Sequence, residues 1–284
     1  MPPTNRHELL LSLFNPAGMG LEIGPGFNPL LPKSAGYAVE TLDHASQADL
    51  VRKYTGAAGV DVSRIEPVDY VSSGASVFAA IGEPARYDFI VASHVIEHTT
   101  SMLGFLQDCE KLLKPDGVLV LAVPDKRFSF DVLRPVSSTG DVLQAHLEGR
   151  QRHKPGTVFD EIAYNVLRGG VLAWPAENHG ELAFFRPLAD AKAIFEHVCR
   201  SDDFIDIHAW QFTPSSFRLI VNDVNEIGLL GLRELSFHDA WGSEFMVSLS
   251  RQGLGPQLPR IELAERAVSE HRAVVTGPAP VQAS

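Results

Sequence analysis

The sequence predicts an α/β protein with a Rossmann-like, mostly parallel sheet and helices on both faces, on three observations. A short apolar run, Gly20-Leu21-Glu22-Ile23, leads into Gly24-Pro25-Gly26, and Asp43 follows 19 residues after Gly24, just past a second apolar segment. Short strand candidates alternate with segments of helical spacing over the first half of the chain. Two of those candidates, residues 88–92 and 118–123, are nearly continuous apolar runs, as central strands covered on both faces require.

The elements follow in order. Residues 8–14 read as a short amphipathic helix ahead of the first strand, 21–23, and further strands are expected at 37–42, 67–71, 88–92 and 118–123. Residues 101–113 carry Met102, Leu103, Phe105, Leu106, Cys109, Leu112 and Leu113 at helical spacing, which predicts a helix with a buried stripe. Lys111 and Lys114 favour its carboxyl end, and Pro115-Asp116-Gly117 is expected to stop it. Thr213 and Pro214 mark an N-cap and a first helical position, opening a helix to about residue 227. Residues 232–237 and 244–249 then read as strands joined by a turn around Trp241-Gly242. The tail beyond Arg251, with Pro256, Pro259, Pro278 and Pro280, leaves room for one helix at 261–273, followed by disorder. The expected organisation is a cofactor-binding half at 1–124, a lid or substrate-binding insertion at 125–211, a closing helix and hairpin at 212–251, and a partly disordered tail at 252–284. An insertion of that length at a strand's carboxyl end points to function rather than core.

Composition sets the limits. With 284 residues, 45% of them hydrophobic, the chain suits one elaborated domain. A net charge of −11 and a pI near 5.4 disfavour a nucleic-acid partner. No apolar run is long enough to span a bilayer, and residues 1–14 lack a signal-peptide core, so a cytoplasmic location is expected. Cys109 and Cys199 offer neither a disulfide framework nor metal-ligand spacing. The partner is expected to be a small molecule, and a homodimer stays open.

Glycines at a strand end let the backbone approach a ligand that a Cβ would exclude. An acid at the tip of the next strand can accept two ribose hydroxyls. Together they describe an adenosine-type cofactor across two neighbouring strand ends. NAD and FAD are disfavoured, because the third glycine position of a dinucleotide fingerprint is Pro29, which also lacks a backbone donor.

The segment 20–26 resembles motif I of the class I S-adenosylmethionine-dependent methyltransferases, with Glu22 as the acid two residues before the first glycine. Two more segments agree in order. Tyr87-Asp88-Phe89-Ile90-Val91-Ala92-Ser93-His94-Val95-Ile96-Glu97-His98 is similar to the fourth strand and its loop, and Leu112-Leu113-Lys114-Pro115-Asp116-Gly117 to the turn before the fifth. The run Asp125-Lys126-Arg127 is similar to that of an uncharacterised bacterial subgroup, of the type 11/12 kind, and names no substrate. The resemblance implies a seven-stranded sheet whose last strand is antiparallel. It places Glu22 at the methionine end of S-adenosylmethionine and Asp43 at the ribose, with Gly24, Pro25, Gly26, Asn28, His44, Val71, Ser93 and His94 also lining the cofactor. No acid clearly follows the third strand, where Tyr70, Val71 and Ser72 stand, so adenine is expected to meet backbone groups or a hydroxyl.

The implied reaction is methyl transfer to a small molecule, most simply to a hydroxyl of a sugar or specialised metabolite. N- or C-methylation and a non-catalytic cofactor-binding role are the alternatives. A hydroxyl needs a base, and His98, with His94 four residues before it, sits on the loop beside the expected methyl position. For the acceptor the candidates are Asp125, Arg127, His208 and Trp210 in the insertion, with Arg134 a further anion fork. Asp125, Asp131, His146 and His153 show no short ligand spacing, so no metal is expected.

Overall fold

The computed structural model describes residues 3–72 and 76–276. After helix α1 (Arg6–Leu11), strands β1 (Gly20–Ile23), β2 (Val39–Asp43), β3 (Tyr70–Val71), β4 (Tyr87–Ser93) and β5 (Leu113–Pro124) alternate with helices α2 (Gln47–Tyr54), α3 (Val77–Ile81) and α4 (Met102–Leu112). The insertion contributes α5 (Thr139–Leu147), α6 (Pro155–Tyr164), a small hairpin of β6 (Val166–Arg168) and β7 (Leu182–Phe184), and α7 (Leu188–Val198). Helix α8 (Pro214–Glu226), the hairpin β8 (Arg233–Trp241) and β9 (Glu244–Ser250), and α9 (Arg260–Thr276) close the chain.

The main sheet runs β3-β2-β1-β4-β5-β9-β8. Strands β1 to β5 pair in parallel, and β9 inserts antiparallel between β5 and β8. This is the seven-stranded Rossmann-like arrangement with an antiparallel last strand. Strand alternation builds two cores from one sheet. Ile90, Ala92, Leu119, Leu121 and Val123 face the core formed with α4, α5 and α8. Phe89, Val91, Val120 and Ala122 face the opposite core, under Leu9, Leu10, Leu30 and Leu31. Gly20 is obligatory in β1, since a Cβ there would stand 2.0 Å from the Phe89 ring.

Boundaries shift for local reasons. Helix α4 stops at Leu112 because Leu113 already pairs with Tyr87, so Pro115-Asp116-Gly117 lies in an irregular start of β5 instead of ending the helix. Strand β3 is reduced to Tyr70–Val71. Thr213 does cap α8, sharing reciprocal bonds with Ser216. Helix α9 is longer than expected and docked, with Glu270 accepting from the backbone N–H and hydroxyl of Ser215 and Arg260 paired with Asp223. The disorder expected past it falls on 277–284, outside the described residues. Helix α5 belongs to the main core through Val142 and Ala145, so the insertion is rooted in the sheet's own layer.

The hairpin is fastened to α8 by a buried bidentate pair: Arg218 donates to Glu234 at 2.7 and 2.8 Å. Glu234→Ala would leave the guanidinium buried without its partner, and urea denaturation should show a loss of about 3–5 kcal/mol. The double variant Arg218→Met, Glu234→Leu should recover most of it; equal losses in both would show that the pair is dispensable and the damage is steric.

Candidate active site

Above the carboxyl ends of β1 and β2, the backbone turns at Gly24-Pro25-Gly26. Gly24 donates to the Leu42 carbonyl at 2.8 Å, tying the turn to β2. Its φ of +70° needs glycine, and a Cβ there would meet Val95 at 2.7 Å, so the loops after β1 and β4 touch at this point. Gly26 also has a positive φ, +52°, but a Cβ there would enter open space: the turn is a cradle facing outward. Pro25 and the exposed Asn28 share this loop, closed by the Asn28 N–H on the Pro25 carbonyl.

Glu22 and Asp43 brace the cradle. The buried Glu22 carboxylate accepts the Leu30 and Leu31 N–H groups at 2.7 and 3.0 Å, and burial raises its pKa against those two bonds. Both of its oxygens are thus engaged by the loop backbone. Asp43 accepts from the Gly26 N–H at 2.9 Å and the His44 N–H at 2.7 Å, and the half-exposed His44 ring covers it. Val71 is exposed beyond them on β3.

The loop after β4 holds the densest charge. His94 adopts a positive φ of +54°. Its Nε2 lies 2.8 Å from Glu244 on β9 and its Nδ1 3.5 Å from Glu97. Burial opposes the charged ring, but the two carboxylates override it and push its pKa up to about 10. Arg6 of α1 also pairs with Glu244 and donates to the Ser93 hydroxyl at 2.6 Å. Glu97 is fully buried, and neither of its oxygens has a hydrogen-bond partner. His98 and His208 each place Nε2 3.9 Å from Glu97 Oε1. Asp206 holds His98 by Nδ1 at 2.8 Å, and Asp131 holds His208 by Nδ1 at 2.6 Å. Burial works to raise the Glu97 carboxyl, but the surrounding histidines hold it below the usual carboxylate range.

Comparison with known proteins gives the family. A family model described as "Methyltransferase domain" matches residues 4–187. The chain belongs to this methyltransferase family. Among curated proteins it is similar to ubiquinone biosynthesis O-methyltransferases: that of Cereibacter sphaeroides (strain ATCC 17025 / ATH 2.4.3), 33% identical over 79 residues, 26% of this chain and 31% of that protein; and that of Pasteurella multocida (strain Pm70), 28% identical over 104 residues, 35% and 43%. The chain thus spans less than half the length of these relatives. Among solved structures it is similar to the CcbJ methyltransferase from Streptomyces caelestis, with 12% identity, a TM-score of 0.43, and 85% and 92% of the two chains covered. S-adenosylmethionine is therefore the methyltransferase's cofactor. The residues present fit it: the Gly26 cradle leaves the space that a Cβ would fill, and Asp43 stands beside it at the tip of β2.

In the insertion, several expected acceptor contacts prove to be internal to the methyltransferase. Asp125 is fully buried and chelated by Arg127, whose Nη2 lies at 2.6 Å; Asp125 also caps the turn that follows β5. The two charges neutralise each other, so neither is an open acceptor contact. Trp210 lies in the main core, and its indole donates to the Thr99 carbonyl at 2.6 Å. Arg134 is buried between Asp131, Glu161 and the His208 carbonyl, so it is no anion fork. His208 alone of the insertion candidates reaches the histidine–carboxylate cluster. It gets there because the Ala209 and Trp210 N–H groups bond to the Glu97 carbonyl. His146 and His153 join no metal-type group; among the described residues the one such group is Glu97, His98 and His208. Arg6, Asp206 and Glu244 went unnoticed in the sequence, where nothing local marks them. Glu97 carried a signal, as the acid of the post-β4 Glu-His pair.

Two expectations follow. Trp210→Ala should cost about 3–5 kcal/mol of stability by urea denaturation, as for other buried tryptophans; a stable variant with a raised acceptor KM would return Trp210 to the acceptor site. Lys126 is buried with its ammonium on the Val132 carbonyl at 2.8 Å, and burial lowers its pKa to about 8. Between there and its ordinary 10.5 the unfolded chain binds the extra proton, so stability should rise with pH across that window. Lys126→Met should remove that rise in pH-dependent melting, and an identical slope in both proteins would contradict the assignment.

Proposed function

We propose that the protein transfers a methyl group from S-adenosylmethionine to a hydroxyl of a small molecule, a sugar or specialised metabolite. The observation that carries this reading is the cluster of Glu97 and His98, on the loop that touches the glycine cradle, with His208 from the end of the insertion. The cofactor supplies an already electrophilic methyl group, so the chain's task is to orient an acceptor and remove its proton. Orientation alone is worth about 7–11 kcal/mol in favourable cases. An amine needs only to be unprotonated, whereas a hydroxyl needs a group to take its proton. Asp206 fixes the His98 ring by Nδ1 and leaves Nε2 turned to the cluster, and the ring is partly exposed, so an acceptor can reach it. His94 is a poor proton acceptor, since Glu244 and Glu97 keep it charged; it serves as a fixed positive charge beside Ser93.

The test is turnover across hydroxyl and amine panels, with products read by mass spectrometry, alongside calorimetry of cofactor binding. Asp43→Ala should weaken S-adenosylmethionine binding by about 1.5–3 kcal/mol. His98→Ala should lower kcat by roughly 10²- to 10⁴-fold with cofactor affinity nearly intact. Methylated amines alone would replace the hydroxyl reading, and tight cofactor binding without turnover on any panel would favour a non-catalytic role.

A further inference from the structure

We propose that Glu97, His98 and His208 bind a divalent transition-metal ion at the loop after β4. One ligand atom from each lies within 4.8 Å of the others. A tetrahedral ion with bonds of about 2.0–2.2 Å sets its ligand atoms roughly 3.4 Å apart. The 3.9 Å separations from Glu97 to both Nε2 atoms therefore close with movements of roughly half an ångström.

Two independent observations point to a ligand. The first is that Glu97 is fully buried and neither oxygen meets a hydrogen-bond donor, the nearest groups being the His94 ring at 3.5 Å and the His98 and His208 rings at 3.9 Å. Buried polar atoms are normally hydrogen-bonded, and His94 at 3.5 Å is shared with Glu244, so this carboxylate keeps capacity for a further cation. The second is the outer shell. Asp206 and Asp131 each take the Nδ1 side of a histidine, which turns both Nε2 atoms toward Glu97. Metal-binding histidines are oriented in this way by carboxylates. Asp131 is itself held by Arg134, so the His208 arm is rigid.

Two imidazoles and one carboxylate suit zinc, manganese, iron or cobalt better than magnesium or calcium. Three protein ligands leave a position open on the side where His98 is partly exposed. This deepens the hydroxyl reading and rests on it only for purpose: an acceptor oxygen in the open position would lose its proton to water more readily. Coordination would then replace direct proton uptake by His98. Sequence spacing gave no hint of the set, because His208 comes from the far end of the insertion.

The experiment uses the full-length, tag-free protein. Its metal content is measured by plasma mass spectrometry, and the chelator-stripped protein is titrated with cobalt(II) and read by visible absorption, with calorimetry of S-adenosylmethionine in parallel as a check of folding. The expected result is about one equivalent of metal and a cobalt ligand-field band. Cobalt should bind at least 10-fold more weakly to His98→Ala and Glu97→Gln, and about 10- to 100-fold more weakly to Asp131→Asn. Stripped wild-type protein that binds S-adenosylmethionine but holds cobalt no better than His98→Ala overturns the site. A metal-loaded protein that methylates only amines keeps the site and removes the hydroxyl reading instead.

Discussion

A buried carboxylate sets the terms for the candidate site. Glu97 is charged and fully enclosed, and the charge is tolerated only because histidines converge on it from the loop after β4 and from the end of the insertion. Desolvated charge is costly unless it is compensated at close range. Each compensating ring is in turn held by an acid on another element: Glu244 on β9, Asp206 ahead of His208, and Asp131 after β5. One buried group therefore fixes the relative placement of three regions of the chain. The same constraint explains why the backbone carbonyl of Glu97 receives the Ala209 and Trp210 N–H groups: the insertion must return to this loop for His208 to be in reach.

Much of the fold was legible because its signals are local. Apolar runs at 88–92 and 118–123 become β4 and β5, the Thr213–Pro214 pair becomes the cap of α8, and the glycine turn with Asp43 becomes the cradle. The errors at boundaries came from tertiary pairing, as where Leu113 joins Tyr87 before the proline can end the helix. The site was less legible for the same reason. His94 and His98 could be singled out from the motif, but the roles of Arg6, Asp206 and Glu244 depend on contacts between distant segments. Asp125, Arg127 and Trp210 misled in a different way. Charge and aromaticity after a strand end look functional in one dimension, whereas the fold neutralises the first two against each other and buries the third.

The insertion has two characters. Helix α5 is part of the main core, while Val158, Val198 and Ile207 form a separate small cluster, and Val132, Val166 and Trp174 another. Small clusters bury little apolar surface and open more easily than a sheet core. The outer part of the insertion is thus held by less buried surface than the sheet core, while His208 is tied down by Asp131 and by the backbone bonds of Ala209 and Trp210 to Glu97.

The Arg6–Glu244–His94 chain has a consequence for the order in which the molecule is made. Arg6 and Glu244 are 238 residues apart and meet over the end of β4. At synthesis rates of 5–20 residues per second, about 12 to 50 seconds separate their appearance at the ribosome. For the last 150 residues of that interval Arg6 and His94 are both present, but the acid that joins them is not, and β9 has yet to slide between β5 and β8. Until then the glycine cradle and its strands are synthesised, but the site's electrostatics are not finished. The charge network over the end of β4 is therefore complete only when the last hairpin has joined the sheet.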